Sequence, residues 1–221
     1  MGDSASSPDP VLTAGAAEPD GAGRELWLVR HAESTWNVLG LVQGHCDQAR
    51  LTRRGARQAL AVAADLGARP IGTLYVSDLR RALQTAVPLA VALGRPVLRD
   101  ARLRERCLGV LEGTDLAALP AAASGLRGPR VADPDARPEG GESLRDFYRR
   151  VAAFATDLAA RHADAQAAPA GDIAVVAHGG TLRMLTAWLH RVPVEEMGWE
   201  PLGNGCIRRF PAGLLAPVMN R

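Results

Sequence analysis

Two short apolar runs, Leu26-Trp27-Leu28-Val29 and Ile173-Ala174-Val175-Val176-Ala177, restrict the fold more than any other feature, and each leads into a histidine. Runs of this length with no polar alternation read as strands buried on both faces, the mark of a parallel sheet. Between them lie segments of helical spacing. Thr52 can cap a helix carrying Ala56, Ala59, Leu60, Ala63 and Leu66, closed by Gly67. A strand over Ile71 to Val76 follows, then a helix capped by Ser77 or Asp78 that runs through Leu83, Val87, Ala90 and Val91 to Gly94, with Pro88 marking a kink. Val97-Leu98 reads as a third short strand.

Residues 32–50 form a long loop and residues 101–142 are irregular. A helix is predicted from Ser143 to about His162, with Phe147, Val151, Phe154 and Leu158 on one face. Another runs from about Thr181 to His190, and Cys206 to Phe210 reads as a last strand. Strands alternating with helices predict an α/β fold, a three-layer α/β/α sandwich around a mostly parallel sheet. Residues 1–24 hold almost nothing to bury and read as a disordered leader. Residues 25–221 then form one domain, with a cap segment at about 106–141.

Composition narrows the function by exclusion. Net charge is only +2, which argues against nucleic acid and against a membrane surface as partners. No apolar run reaches a spanning length and no signal-peptide layout opens the chain. Cys46, Cys107 and Cys206 are few, separated and odd in number, so neither a disulfide framework nor a zinc site is signalled, and a reducing cytoplasm is expected. The 26 basic residues are all Arg. Any anion held here is therefore held by guanidinium groups, whose fork suits phosphate and carboxylate.

Parallel strands bring their carboxyl ends to one edge of the sheet, where open α/β folds bind ligands. That places Arg30-His31 beside His178-Gly179-Gly180. Singly, each histidine reads as readily as a turn residue. Together, and with the helix start Ser77-Asp78-Leu79-Arg80-Arg81 at the same edge, they outline an anion site, a dianionic phosphate being the fitting ligand. Arg80 and Arg81 are one helical step apart, so only one of them can point inward.

The segments RHAESTWN, SDLRRALQTA, LRERCLGVLEG, PEGGES and VVAHGG occur in the order seen in the histidine phosphatase superfamily, and the chain resembles that family, with its phosphoglycerate mutase-like fold, from about Leu26 to Phe210. The resemblance implies His31 as the nucleophile that becomes a phosphohistidine, and Arg30, Arg81, His178 and Asn37 as phosphate ligands. It implies Glu105 as the general acid; on physical grounds the apolar neighbours Leu108, Val110 and Leu111 are expected to raise its pKa towards the working pH. Gln43, Gly44 and Gly179 fall beside the substrate. Glu112 and Glu33 are competing carboxylates, read as structural.

There are departures. Ala32 stands where the family often has Gly. The loop Gly44-His45-Cys46-Asp47-Gln48-Ala49-Arg50-Leu51-Thr52 is one residue longer than usual and lacks its proline, which unsettles the register around Gln43. Consecutive His45, Cys46 and Asp47 cannot easily turn to one ion, so no metal is expected, and no cofactor is implied. The expected partner is a small-molecule phosphate ester, with a homodimer plausible from relatives. Phosphatase, mutase and non-catalytic phospholigand-binding readings all remain open, and the short Ala, Gly and Pro-rich cap favours hydrolysis. Arg127, Arg130 and Arg137 are candidates for a second anionic group, and Trp36, Val38 and Leu39 for an apolar wall.

Overall fold

The computed structural model describes residues 23–119, 133–163, 170–198 and 200–216. The predicted leader up to residue 22, and Arg127 and Arg130 in the cap, lie outside them. A five-stranded sheet has the order β3-β2-β4-β1-β5, with β1 at Glu25–Arg30, β2 at Ile71–Val76, β3 at Val97–Arg99, β4 at Asp172–Ala177 and β5 at Ile207–Pro211. All neighbours pair in parallel except β5, which runs antiparallel to β1.

Successive side chains of the central strands alternate between two cores, as the period-2 geometry of a strand requires. Leu26, Leu28, Ile173, Val175 and Ala177 face the layer holding α4 (Leu144–Ala163) and α5 (Gly179–Leu189). Trp27, Val29, Ala174 and Val176 face α2 (Arg53–Leu66) and α3 (Arg80–Leu93). The three-layer α/β/α arrangement expected from the sequence is present. In α4, Phe147, Val151, Phe154 and Leu158 are buried as expected.

Several details differ from the sequence reading. Helix α2 buries Gly55, Ala59, Val62, Ala63 and Leu66, whereas Ala56 and Leu60 face solvent. Likewise α3 buries Arg81, Ala82, Thr85, Ala86 and Leu89 and turns Val87 and Val91 outward. In Ala-rich helices the apolar pattern leaves the phase of the inner face open, and packing on the sheet selects it. Helix α3 continues through Pro88 to Gly94, which takes the left-handed conformation at φ 60° that ends the helix. Helix α5 starts at Gly179, two residues before the expected Thr181. The loop after β1 contains one short helix, α1 (Thr35–Val38), closed by a Ser34/Asn37 capping box.

The expected cap of α3 was also wrong. Leu79 is the N-cap residue and offers no side-chain acceptor. Asp47 supplies one from the preceding loop, its Oδ1 accepting the Arg80 N–H at 2.5 Å. That leaves Ser77 and Asp78 for other work: Ser77 bonds His178, and Asp78 pairs with Arg104.

Candidate active site

Strand register builds the floor. Arg30 pairs with Ala177, and Val76 with Val176, so three strands end at one level. The next residue of β1 stays in step, because the His31 N–H bonds the Ala177 carbonyl at 2.8 Å. His31 and His178 consequently sit with ring centres 5.1 Å apart. Ser77, following β2, contacts His178 Nε2 through its hydroxyl at 2.8 Å.

His31 Nδ1 faces its neighbour's carbonyl, Ala32 O, at 2.8 Å. A carbonyl only accepts, so Nδ1 carries the hydrogen and Nε2 keeps the lone pair. Burial, then Arg81 and Arg30, hold the His31 pKa well below its usual 6.5, so the ring is neutral. His178 is held down by burial, Arg81, His31, Arg30 and His45.

Around this neutral pair stand two guanidinium groups, that of Arg81 buried and that of Arg30 half-buried. Arg81 is 1% exposed. Its Nη1 and Nη2 donate to the carbonyls of Cys46 and Gly44, at 3.0 and 2.8 Å, which fixes the loop over the site. Burial pulls its pKa down to about 10, still far above neutrality. Arg30 Nη1 donates to the Leu202 carbonyl. Arg80 is exposed, so of the Arg pair only Arg81 points inward. Three buried nitrogens at this floor have no hydrogen-bond partner: Arg30 Nε, Arg81 Nε and His178 Nδ1. Buried polar groups are almost always paired, so such a cluster marks the place of an acceptor that comes from outside the chain. The Ser77 hydroxyl can donate to His178 Nε2, which leaves Nδ1–H for that acceptor.

Asn37 and Gln43 line the same cleft, of about 210 Å³, with Gly44. The Asn37 Oδ1 accepts from Ser34 and from Asn204 Nδ2, and Gln43 Oε1 accepts the Ser34 hydroxyl. Glycine is required at 44, where φ is 46° and a Cβ would fall 2.1 Å from Glu112 Oε1. That oxygen receives the His45 and Leu108 N–H groups, so Glu112 braces two loops. Glu33 accepts the Thr52 hydroxyl at 2.6 Å and lies 3.6 Å from Arg54, at the start of α2. Gly179 packs against the Arg30 and Arg183 guanidinium groups, and it is Gly180 that lines the cleft.

Glu105 enters from the irregular segment after β3. Its Oε2 accepts the Gly180 N–H at 2.9 Å and its Oε1 the Arg106 N–H at 2.9 Å. Of the expected apolar neighbours Leu108 lines the same cleft, whereas Val110 is turned to solvent, and the two main-chain donors add a polar contact to each carboxylate oxygen. The segment is held by Arg150 of α4, which donates to the carbonyls of Arg102, Arg104 and Glu105 while gripping both oxygens of Glu142.

Other expectations fail. Val38 and Leu39 are each 65% exposed, and Trp36 is absent from the lining; the apolar wall is Leu41, Val42, Leu108, Leu116 and Leu119. The single turn of α1 carries Val38 and Leu39 outward. Arg137 pairs with Asp146 at the surface, at 2.8 Å. Among the described residues no group of three or more His, Cys, Asp or Glu is placed to hold a metal.

Three contributors escaped the sequence reading. Asn204 donates to the His31 carbonyl and to Asn37, because antiparallel β5 starts where β1 ends. The turn Gly203-Asn204-Gly205 was the available signal. Arg183 lines the cleft four residues beyond Gly179, a spacing that puts both on one helix face. Arg106 lines it too, directly after Glu105.

Residues 26–212 match the model of a family described as the histidine phosphatase superfamily (branch 1). A glucosyl-3-phosphoglycerate phosphatase of Mycolicibacterium vanbaalenii is 38% identical over 182 residues, 82% of this chain and 80% of that protein. A probable phosphoglycerate mutase of Cronobacter sakazakii is 34% identical over 186 residues, 84% and 83% of the two chains. A mycobacterial glucosyl-3-phosphoglycerate phosphatase solved with VO3 superposes with a TM-score of 0.73 at 33% identity, covering 84% of this chain and 92% of that one.

Proposed function

The chain belongs to the histidine phosphatase superfamily, branch 1, and on that premise we propose that it hydrolyses a phosphate monoester of a small sugar or sugar acid with His31 as nucleophile. One observation carries the reading: three buried, unpartnered donors, Arg30 Nε, Arg81 Nε and His178 Nδ1, surround a neutral imidazole whose free lone pair is on Nε2. A phosphoryl group supplies the missing acceptors, and its charge balances cations that burial has stripped of water.

The chemistry then runs in two displacements. His31 Nε2 attacks phosphorus, the P–O ester bond breaks, and Glu105 gives its proton to the leaving oxygen. Each Glu105 oxygen accepts one main-chain N–H and retains a lone pair for that proton. Glu105 next takes a proton from water as the water oxygen attacks phosphorus, and His31 leaves neutral. Asn37, Gln43 and Gly44 edge the bound phosphate, and Asn204 fixes the His31 main chain. Residues 25–221 act as one domain, and three unpaired cysteines suit a reducing cytoplasm. No described helix is long and apolar enough to cross a membrane.

The phosphatase-named relatives support a sugar phosphoglycerate as substrate, while the mutase-named relative favours a second reading, transfer of the phosphoryl group back to the substrate. Phosphate release from glucosyl-3-phosphoglycerate and 3-phosphoglycerate, with His31→Ala as control, separates them. Stoichiometric inorganic phosphate is expected. Interconversion of 2- and 3-phosphoglycerate much faster than phosphate release would replace hydrolysis with the mutase reaction.

A further inference from the structure

The consecutive residues His45, Cys46 and Asp47, which cannot serve one ion, take three separate tasks in the fold. The carbonyls of Gly44 and Cys46, on either side of His45, accept from Arg81 at 2.8 and 3.0 Å, so this stretch is fastened to a phosphate ligand. Asp47 accepts the Arg80 N–H at the start of α3. His45 reaches instead to the segment that carries Glu105. Its N–H donates to Glu112 Oε1 at 2.8 Å, an oxygen that also receives the Leu108 N–H. Its imidazole faces the Glu105 carbonyl, and its Nε2 lies 4.0 Å from Glu142 Oε2. Glu142 is itself held by Arg150 and by the Cys107 N–H.

General acid catalysis needs the carboxyl at a set distance from the leaving oxygen, and displacements of about 1 Å are costly. Arg150 ties the Glu105 carbonyl to α4, at 3.1 Å, and the Gly180 N–H ties the carboxylate to α5. Glu112 joins the loop to residue 108, beyond the acid. His45 is the side chain that meets the main chain of Glu105 from the loop that Arg81 grips. We propose that His45 is a positioning residue for the general acid, its ring coupling the loop over the phosphate to Glu105 and so setting the carboxyl against the leaving oxygen. This rests on the phosphatase reading above. Burial and the Arg150 charge hold the ring's pKa below 6.5, so at neutral pH it acts as a neutral donor and adds no charge to the site.

The test compares 3-phosphoglycerate, whose leaving alkoxide needs a proton, with p-nitrophenyl phosphate, whose leaving group does not. His45→Ala is expected to lower kcat on 3-phosphoglycerate by about tenfold or more, with KM within about threefold of wild type. Its kcat on p-nitrophenyl phosphate and its thermal stabilisation by inorganic phosphate are expected to stay close to wild type. His45→Gln, which keeps an N–H donor, is expected to regain most of the loss. Should His45→Ala fail to melt cooperatively, His45→Leu, with the bulk but no N–H, carries the same expectations, and failure of both to fold overturns the inference in favour of a structural role. Equal losses on the two esters, or a loss carried by KM with weaker stabilisation by phosphate, overturn it in favour of a brace for the phosphate loop. Wild-type kcat on 3-phosphoglycerate in His45→Ala overturns it outright while leaving the phosphatase reading intact. Hydrolysis of neither ester by wild type removes that reading and this inference with it.

Discussion

Two clusters of arginine lie close together in this protein and do opposite things. Along the segment leading to Glu105, Arg102, Arg104 and Arg150 are matched to carboxylates and carbonyls: Arg102 with Asp100 and Asp157, Arg104 with Asp78, Arg150 with Glu142 and three main-chain oxygens. At the pocket floor, Arg30 and Arg81 are anchored only to neutral carbonyls, and each leaves Nε without a partner. The residue type is the same throughout, so the sequence alone does not sort them. What sorts them is whether the charge is answered within the fold. Answered arginines hold an irregular loop in place; unanswered ones wait for a ligand.

The largest effect that tests this contrast comes from Glu105, the group that the first cluster positions. Glu105→Gln is expected to lower kcat by about 10²–10⁴-fold on an alkyl phosphate and far less on p-nitrophenyl phosphate, whose leaving group needs no proton. Steady-state kinetics on the two esters measure the difference, and equal losses would make Glu105 structural. Next comes Arg81→Met, expected to lower kcat/KM by about 10²–10³-fold and to abolish thermal stabilisation by inorganic phosphate. Arg150→Met should behave in the opposite way. It is expected to lower stability by about 1–3 kcal/mol in denaturant titration, while phosphate still raises the melting temperature.

The same contrast explains what was legible in the sequence. The floor was readable because strand ends are fixed by covalent order: once Leu26–Val29 and Ile173–Ala177 are parallel neighbours, His31 and His178 must meet. Helix geometry at the next strand end allowed only one of Arg80 and Arg81 to point inward, and the resemblance chose Arg81. The wall was not readable. Arg106 and Arg150 act through Glu142, Asn204 through the His31 carbonyl, and Asp47 caps the α3 start through the Arg80 N–H, all partners distant in sequence, and no periodicity encodes such pairings. The Ala-rich faces of α2 and α3 were misphased for a related reason, since alanine fits either side.

Smaller effects follow from the floor's charge. With the His31 and His178 pKa values held below 6.5, the neutral nucleophile persists into mild acid, so the acid limb of kcat/KM is expected below pH 6.5. In the unfolded chain these imidazoles protonate near 6.5. Their contribution to stability is therefore present above that pH and is lost as pH falls below it, a trend that melting temperatures across pH 7.5 to 5 would reveal. The smallest expected effect is none: EDTA should leave the rate unchanged, because arginines supply the positive charge. Loss on chelation, restored by a divalent ion, would count against that assignment.

The account stands most directly on where the phosphoryl group goes. Wild type quenched in base during turnover of a phosphate ester, digested and mapped by mass spectrometry, is predicted to carry phosphate on the peptide containing His31 alone, and His31→Ala to carry none. Phosphate on His178 instead, or turnover by His31→Ala at an undiminished rate, would contradict it.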